Sequence, residues 1–361
     1  MRCLPAGTVE EPHSARFRRA RSGRNPDGNR SAGGQRMSQA PFLHRPVMVD
    51  EVVDLLGPVP AGVVVDATVG GGGHARALLE AHPHLRVVGL DRDDDALAAA
   101  AARLGEYANR VVLRHARFDR LGEVLDGLAI EGITGALFDL GVSSPQLDIA
   151  DRGFSYREDA PLDMRMDRTE RRTAADVVNS YDADELAHLF VDSGETRFAR
   201  RIARAIIAAR PITTTGRLAE VVASAVPAAA RRRGHPAKRV FQALRIEVNA
   251  ELDVLPVALD EAISRLVPGG RLVVLSYHSG EDRLVKRRFL DASTGGCVCP
   301  PGLPCVCGAV PRVRLLTRGS RKPGAAELAV NPRAESARLR AVEKLDVRPA
   351  PTSDSDAAEG I

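Results

Sequence analysis

The chain has 361 residues, of which 44% are hydrophobic, so it is long enough for two domains and can bury sizeable cores. Its net charge of +4 is unevenly distributed: residues 1–40 carry eight arginines and three acids, which leaves about −1 on the rest. Global charge therefore gives little support for nucleic-acid binding by the body of the protein. The sequence has no apolar stretch that could span a bilayer and no secretory signal, so we expect a cytoplasmic protein without a membrane partner.

The two ends of the chain differ in composition from its body. Residues 1–40 lack apolar periodicity and are rich in Gly, Ser, Pro and Arg, which predicts a disordered basic extension. Met37 lies just before the first organised segment, so a start site placed too early is one interpretation. A basic arm that contacts RNA is the alternative. A second disordered tail is expected over 346–361.

Strands alternate with helices in the first part of the body, and this rhythm predicts an α/β, Rossmann-like fold with a mostly parallel sheet. The expected strands are 63–66, 87–91, 111–113 and 136–140. The expected helices are 47–56, 74–82 and 94–104.

The alternation stops after the fourth strand. Helical patterns follow at 173–180, 182–192, 195–210 and 215–225, with another helix beginning near Val240. A strand returns at 271–277, after a Pro-Gly-Gly turn. We therefore expect an inserted helical substrate-recognition domain at 151–245, within a cofactor-binding domain formed by 41–150 and 246–345. Such an insertion lies at the carboxyl edge of the sheet, where substrate would meet cofactor.

A glycine-rich turn after the first strand is the most informative motif. Glycines at 70–73 let the backbone turn at positive φ and approach a ligand closely. Asp91, at the tip of the second strand, can accept hydrogen bonds from a ribose diol. Dinucleotide sites favour G-x-G-x-x-G, whereas here Asp66 and Thr68 precede the turn. We interpret the turn as an S-adenosylmethionine site, and a purely structural tight turn is the alternative.

The loop at 139–148 follows the fourth strand and would face the reactive end of the cofactor. An acid there, Asp139, can accept a hydrogen bond from an exocyclic amine that attacks a methyl group. Gly141 lets the chain turn close to a flat base, and Gln146 supplies further hydrogen bonds. The loop lacks the prolines and the aromatic residue of amino-methyltransferases at this location, which disfavours a DNA amino-methyltransferase. The alternative for the loop is a simple strand-end turn.

The motifs taken together closely resemble the ribosomal RNA small subunit methyltransferase H family, also called MraW, over about 42–345. The motifs that carry this resemblance are 44–47, 66–74, 139–148, 152–155, 163–167, 277–279, 281–283 and 331–333. The resemblance implies a class I methyltransferase fold and an S-adenosylmethionine-dependent enzyme. It also implies methylation of the exocyclic N4 amine of a cytidine in the decoding region of 16S ribosomal RNA, within the small ribosomal subunit.

The resemblance also implies roles for individual residues. By motif, the residues that would form the cofactor pocket are Gly72, Gly73, His74, Asp91, Phe118, Asp139 and Gln146. Asp91 would hold the ribose, Phe118 would pack beside the adenine, and Asp139 would also be the catalytic residue. The alternatives are an ordinary core aromatic for Phe118 and a packing role for His74. Two positions depart from the family pattern: Gly280 stands where leucine is usual, and Glu335 where a basic residue is frequent.

Contacts with RNA are expected in the helical insertion. Four arginines fall at helical spacing, at Arg197, Arg200, Arg201 and Arg204. A basic loop at 231–239, broken by glycine and proline, also suits a phosphate backbone. Solvated surface is the alternative for both. The segment 163–167 either reads RNA or braces the insertion against the rest of the protein.

The cysteines are clustered near the C-terminus, at Cys297, Cys299, Cys305 and Cys307. Four thiols at this spacing could surround a tetrahedral zinc ion, although ligands at i and i+2 are geometrically demanding. We favour a reduced, partly ordered loop and assign no metal ligand. Disulfides are the least expected use in a reducing compartment.

Two further functional interpretations remain open from the sequence. The first is an S-adenosylmethionine-dependent methyltransferase that acts on another RNA or on a non-nucleic-acid acceptor. The second is an RNA-binding or assembly factor that has lost turnover, which the intact set of Asp66, glycines, Asp91 and Asp139 argues against. The oligomeric state is not indicated.

Overall fold

The computed structural model describes residues 45–195, 197–232, 234–300 and 305–346. The expectations for 1–40 and for the tail beyond Asp346 lie outside the described residues, as does His44 of the first motif. Among the helices that are described, none is long and apolar enough to cross a membrane.

The described residues form a seven-stranded, mostly parallel sheet with strand order β3-β2-β1-β4-β5-β7-β6. The strands are β1 (Gly62–Asp66), β2 (Leu85–Asp91), β3 (Val111–His115), β4 (Ile133–Asp139), β5 (Leu266–Ser276), β6 (Val313–Leu315) and β7 (Arg338–Lys344). Strands β1 to β5 are mutually parallel, and β7 pairs antiparallel with both β5 and β6. The expected Rossmann-like α/β class is confirmed.

The parallel strands are buried on both faces, which is why they read as continuous apolar runs. Val63 and Val65 pack into the core on one face of the sheet, whereas Val64 packs into the core on the other. Helices cover the two faces. Those in the cofactor-binding part are α1 (Val49–Leu56), α2 (Gly73–Ala81), α3 (Asp94–Arg103) and α4 (Leu121–Gly127).

Between β4 and β5 the structure describes eight α-helices, and the sequence predicts five of them. They are α5 (Ser144–Asp148), α6 (Ala174–Ser180), α7 (Ala183–Asp192), α8 (Ala199–Ala208), α9 (Thr215–Ala225), α10 (Ala228–Arg231), α11 (Ala237–Asn249) and α12 (Glu251–Arg265). Most of them share a core of their own, which includes Phe190, Ile202 and Leu244. The domain boundaries at 151 and 245 stay a prediction.

The C-terminal part adds elements that the sequence analysis did not predict. Helix α13 (Ser279–Thr294) follows β5, and α14 (Ala325–Val330) lies between β6 and β7. Strand β7 buries Leu339, Ala341 and Val342 against the sheet. Its antiparallel pairing with β5 extends the sheet beyond the parallel strands.

Candidate active site

Three carboxylates lie at the carboxyl edge of the sheet, because β1, β2 and β4 each end in an aspartate: Asp66, Asp91 and Asp139. Burial and the neighbouring charges of Asp139 and Asp91 raise the pKa of Asp66 to about 8. Burial also raises the pKa of Asp91 and of Asp139. Asp66 is therefore largely protonated near neutral pH, and the ionised form of Asp91 or Asp139 repels a pyrophosphate and attracts a cationic ligand.

The glycine turn is held against Asp91. The Gly70 amide donates to Asp91 Oδ2 at 2.9 Å, and the Asp93 amide donates to Oδ1 at 3.0 Å. Gly70 has a φ of +51°, and a Cβ added at Gly71 would meet nothing within 4 Å. The outer side of the turn is therefore open to a ligand. Each Asp91 oxygen also keeps a second lone pair that can accept from a hydroxyl group.

Gly72 and Gly73 lie where the turn enters α2. Gly72 has a φ of +75°, which favours glycine, and it caps the helix. A Cβ at Gly73 would lie 2.5 Å from Pro46 Cγ, so glycine is required for this close approach. Both glycines therefore have a structural role, and their contact with a cofactor stays a prediction.

His74 and Asp139 meet at the reactive side of the site. His74 is buried, its Nε2 lies 2.9 Å from the Val47 carbonyl oxygen, and its Nδ1 lies 3.5 Å from Asp139 Oδ2. Because a carbonyl only accepts, Nε2 carries the hydrogen in that contact, and Nδ1 faces the aspartate. The His74 ring therefore links the start of α1 to the candidate catalytic carboxylate.

Asp139 is held from two further sides. The Tyr277 hydroxyl donates to Asp139 Oδ1 at 2.7 Å, and the Asp139 amide donates to Thr68 Oγ1 at 2.7 Å. Burial raises the pKa of Tyr277 well above its ordinary value, so the phenol stays protonated and donates. About a quarter of the Asp139 side chain remains exposed, which leaves it accessible to a substrate.

Gln146 lies in a buried polar network. Its Nε2 donates to Asp93 Oδ2 at 2.8 Å, and its Oε1 accepts from the Ser143 amide at 3.0 Å. Arg152 pairs with the same Asp93 oxygen at 2.8 Å and is only 2% exposed. These contacts fix the 139–148 loop against the start of α3. A direct contact between Gln146 and the cofactor stays a prediction.

Phe118 follows β3 and is 9% exposed. Its ring packs edge-to-face on Phe138, with the ring centroids 5.8 Å apart. This contact is what the core-aromatic interpretation expects, and the proposed packing against adenine stays a prediction.

Comparison with known proteins identifies the family of this chain, because residues 41–345 match the MraW methylase family. The chain belongs to that family. It is 57% identical over 326 residues to the ribosomal RNA small subunit methyltransferase H of Thermobifida fusca, covering 88% of this chain and 98% of the relative. The corresponding protein of Frankia alni is 57% identical over 316 residues, covering 85% of this chain and 97% of the relative.

A solved structure is also similar to this MraW-family chain. An rRNA methylase from Streptococcus thermophilus superposes with a TM-score of 0.38 at 15% identity, covering 84% of this chain and 99% of the other.

Three side chains of this MraW-family site have no individual role predicted from the sequence: Thr68, Arg152 and Tyr277. Thr68 and Arg152 belong to the predicted motifs, but the motifs do not indicate their contacts. Tyr277 follows β5, which pairs with β4 so that Leu275 lies opposite Asp139. A polar residue directly after the neighbouring strand, two positions beyond Leu275, is the sequence signal that could identify it.

The arginines of the insertion lie on the surface, as an RNA-binding role requires. Arg197, Arg200, Arg201 and Arg204 are all exposed, and none of them forms an ion pair with a carboxylate that the structure describes. The expected loop at 231–239 is wrong at both ends, since Arg231 ends α10 and α11 begins at Ala237. Arg239, in the first turn of α11, pairs with Glu195 at 3.2 Å. The α8 arginines are therefore the better candidates for phosphate contacts.

The 163–167 segment packs against the rest of the protein and is hydrogen-bonded to Asn249 and Arg152. Met164 and Met166 are buried. The Met166 amide donates to Asn249 Oδ1 at 2.9 Å, and Asn249 Nδ2 donates to the Met164 carbonyl at 2.8 Å. Arg152 also donates to the Met166 carbonyl at 3.1 Å. These contacts favour the bracing interpretation.

Proposed function

We propose that this chain transfers the methyl group of S-adenosylmethionine to the exocyclic N4 amine of a cytidine in the decoding region of 16S ribosomal RNA. The observation that carries the proposal is the accessible Asp139 carboxylate, held at the edge of a methylase-family sheet beside an open glycine turn. The names of the relatives supply the substrate class, a small-subunit ribosomal RNA. The proposed place of action is the cytoplasm, on the small ribosomal subunit.

The site fits this cofactor by its donors and its charge. S-adenosylmethionine supplies an activated methyl group on a sulfonium cation. Asp91 would accept from the ribose hydroxyls through its free lone pairs, and the open faces of Gly70 and Gly71 leave room for the ligand. The accessible Asp139 carboxylate favours a cation over a phosphate in the same place.

The role of Asp139 follows from the weakness of the acceptor. A cytosine amine is a poor nucleophile, because its lone pair is delocalised into the ring. A carboxylate that accepts one amine hydrogen would orient the lone pair and polarise the N–H bond. Burial raises the pKa of Asp139, which makes it a better acceptor for the proton that the amine loses. Positioning would supply most of the rate, because little other acid–base work is needed.

The RNA would approach over the insertion. A cytosine must leave its stack before its amine reaches a recessed carboxylate, so the substrate is an unpaired or extruded base. The exposed arginines on α8 would hold the surrounding phosphates. A contact of this kind is independent of sequence and positions the RNA.

Methyl transfer from labelled S-adenosylmethionine tests the proposal. The acceptors are small ribosomal subunits, naked 16S RNA and bulk tRNA, all from cells that lack this activity. We expect label in 16S RNA from at least one of the first two acceptors and none in tRNA. Label in tRNA alone would favour the alternative of another RNA substrate. Cofactor binding without transfer to either form of 16S RNA would contradict the proposal.

A further inference from the structure

The cysteine-rich loop between α13 and β6 brings its four sulfur atoms together. The Sγ atoms of Cys297, Cys299, Cys305 and Cys307 all lie within 4.8 Å of one another. Cys297 Sγ lies 3.4 Å from Cys305 Sγ and 3.6 Å from Cys307 Sγ. Cys305 and Cys307 are 3.5 Å apart, so a pair at i and i+2 can reach a common point.

The three separations among Cys297, Cys305 and Cys307 are slightly shorter than those of tetrahedral coordination, and Cys299 lies within 4.8 Å of the same sulfurs. Four sulfurs bound at about 2.3 Å to one zinc ion lie roughly 3.8 Å from each other. A disulfide would require about 2.05 Å between two of the sulfurs. Thiol–thiol hydrogen bonds are weak, so they are a poor reason for four thiols to converge.

The valines between the paired cysteines do not form a core. Val298 and Val306 are 85% and 89% exposed. In the described part of the loop, 295–300 and 305–312, the sulfur cluster therefore takes the place of an apolar core, which is the situation in which small units use a structural metal.

Backbone hydrogen bonds hold the two ends of the loop in place, close to the cysteines. The Arg312 amide donates to the Ala292 carbonyl at 2.9 Å, and the Cys297 amide donates to the Thr294 carbonyl at 3.2 Å. The Val306 amide donates to Cys299 Sγ at 3.4 Å. An N–H donor of this kind stabilises a thiolate ligand from outside the coordination sphere.

We propose that Cys297, Cys299, Cys305 and Cys307 bind one Zn²⁺ ion and that the metal holds this loop in its folded form. Soft thiolates select zinc among the common divalent ions, and four protein ligands close the site, so its role is structural. Each thiol gives its proton to solvent on binding, and no oxidation or reduction takes place. The assignment revises the reduced-loop interpretation of the sequence and does not depend on the proposed methyl transfer.

Metal analysis of the purified full-length protein tests the site. We expect about one zinc per chain after dialysis against metal-free buffer, the content of a closed structural site. Cobalt substitution should give the visible absorption bands of a tetrahedral thiolate complex. Iron in place of zinc, or no bound metal with every thiol freely reactive, would overturn the proposal.

Substitutions locate the ion and separate it from adventitious metal. The double variant Cys297→Ser/Cys305→Ser should lose the zinc. The single variant Cys299→Ser should lower zinc affinity by more than the 10- to 100-fold typical of outer-sphere changes. Cys3→Ser is the matched control, because it removes the remaining cysteine of the sequence, and it should keep full zinc content. Equal zinc in the double variant and the control would overturn the assignment.

Hydrogen exchange on the unmodified protein gives a readout that needs no variant. Removing zinc with a chelator should accelerate exchange at the 297–299 and 305–307 amides and leave β1 and β4 unchanged. Identical exchange with and without chelator would contradict a structural metal in this loop.

Discussion

The Tyr277 hydroxyl donates a 2.7 Å hydrogen bond to Asp139 Oδ1, which joins the segments that follow two neighbouring parallel strands. Asp139 ends β4, and Tyr277 directly follows β5. The Tyr277 ring also lies against Gly141, where an added Cβ would be 3.2 Å from the ring at a φ of +101°. The tyrosine therefore fixes both the candidate catalytic carboxylate and the turn that follows it.

Removing only this hydroxyl should slow methyl transfer. A hydrogen bond to a charged group contributes about 1.5–3 kcal/mol, which corresponds to a rate loss of roughly 10- to 100-fold for Tyr277→Phe. Cofactor affinity should change little, because the hydroxyl contacts Asp139 and not the turn at Asp91. Single-turnover transfer and calorimetric binding of S-adenosylmethionine measure the two quantities. Tyr107→Phe is the control, and an unchanged rate for Tyr277→Phe would show that the hydroxyl has no positioning role.

Asp91→Ala should chiefly weaken cofactor binding. The substitution removes the acceptor for the ribose and also frees the Gly70 and Asp93 amides that this carboxylate holds. We expect the dissociation constant for S-adenosylmethionine to rise at least about tenfold, a loss of about 1.4 kcal/mol. Isothermal titration calorimetry measures it, with Asp94→Ala, an exposed acid at the start of α3, as the control. Equal affinities for the two variants would contradict the assignment of Asp91.

The buried Asp66 should make stability depend on pH. Its pKa is raised from 3.8 to about 8 in the folded protein. The folded state therefore binds the extra proton between these values, and the free energy of unfolding falls as pH rises through this window, by up to about 1.4 kcal/mol per pH unit. Asp66→Asn mimics the protonated form and should flatten this decline.

Denaturant unfolding of the cofactor-free protein at several pH values between 4 and 8.5 measures the effect. Wild type and Asp66→Asn should differ little near pH 4 and most near pH 8, with the variant the more stable. Parallel curves for the two proteins over the whole range would mean that Asp66 titrates normally.

The exposed arginines on and next to α8 should contribute a salt-dependent part of RNA binding. Removing three phosphate contacts with Arg197→Ala/Arg201→Ala/Arg204→Ala should reduce the slope of log affinity against log salt by about 2, since each contact on single strands contributes about 0.7. Filter binding to 16S RNA at several salt concentrations measures the slope. The control variant loses three exposed positive charges elsewhere, at Arg86, Arg287 and Lys322. Equal slopes for the two variants would place the RNA on another surface.

The parallel half of the fold was predictable because its strands are buried on both faces and read as apolar runs. β7 was not predicted, because four of its seven residues are charged and its apolar residues are only Leu339, Ala341 and Val342. β6 has only three residues. Helix α12 was not predicted either, since Pro256 lies inside it. These elements are formed by tertiary contacts that local propensity does not carry.

The residues of the site that could be predicted are those whose chemical role follows from a single sequence motif. Asp91 beside the glycine turn and Asp139 at the end of β4 follow from the rule that parallel strands align their carboxyl ends. The partners of these residues depend on segments far apart in the chain: Tyr277 lies 138 positions from Asp139, and Gln146 lies 53 positions from Asp93. Contacts between segments so far apart in the chain depend on the tertiary fold, and the residue spacing within a single motif does not indicate them.

Nucleoside mass analysis of the methylated RNA tests the central claim most directly. Small subunits and naked 16S RNA from cells lacking the activity would be treated with wild type or with Asp139→Ala. The account predicts N4-methylcytidine at one site with the wild-type protein, and a much lower rate with Asp139→Ala even at saturating cofactor. Methylation at another atom, or normal turnover by Asp139→Ala, would contradict it.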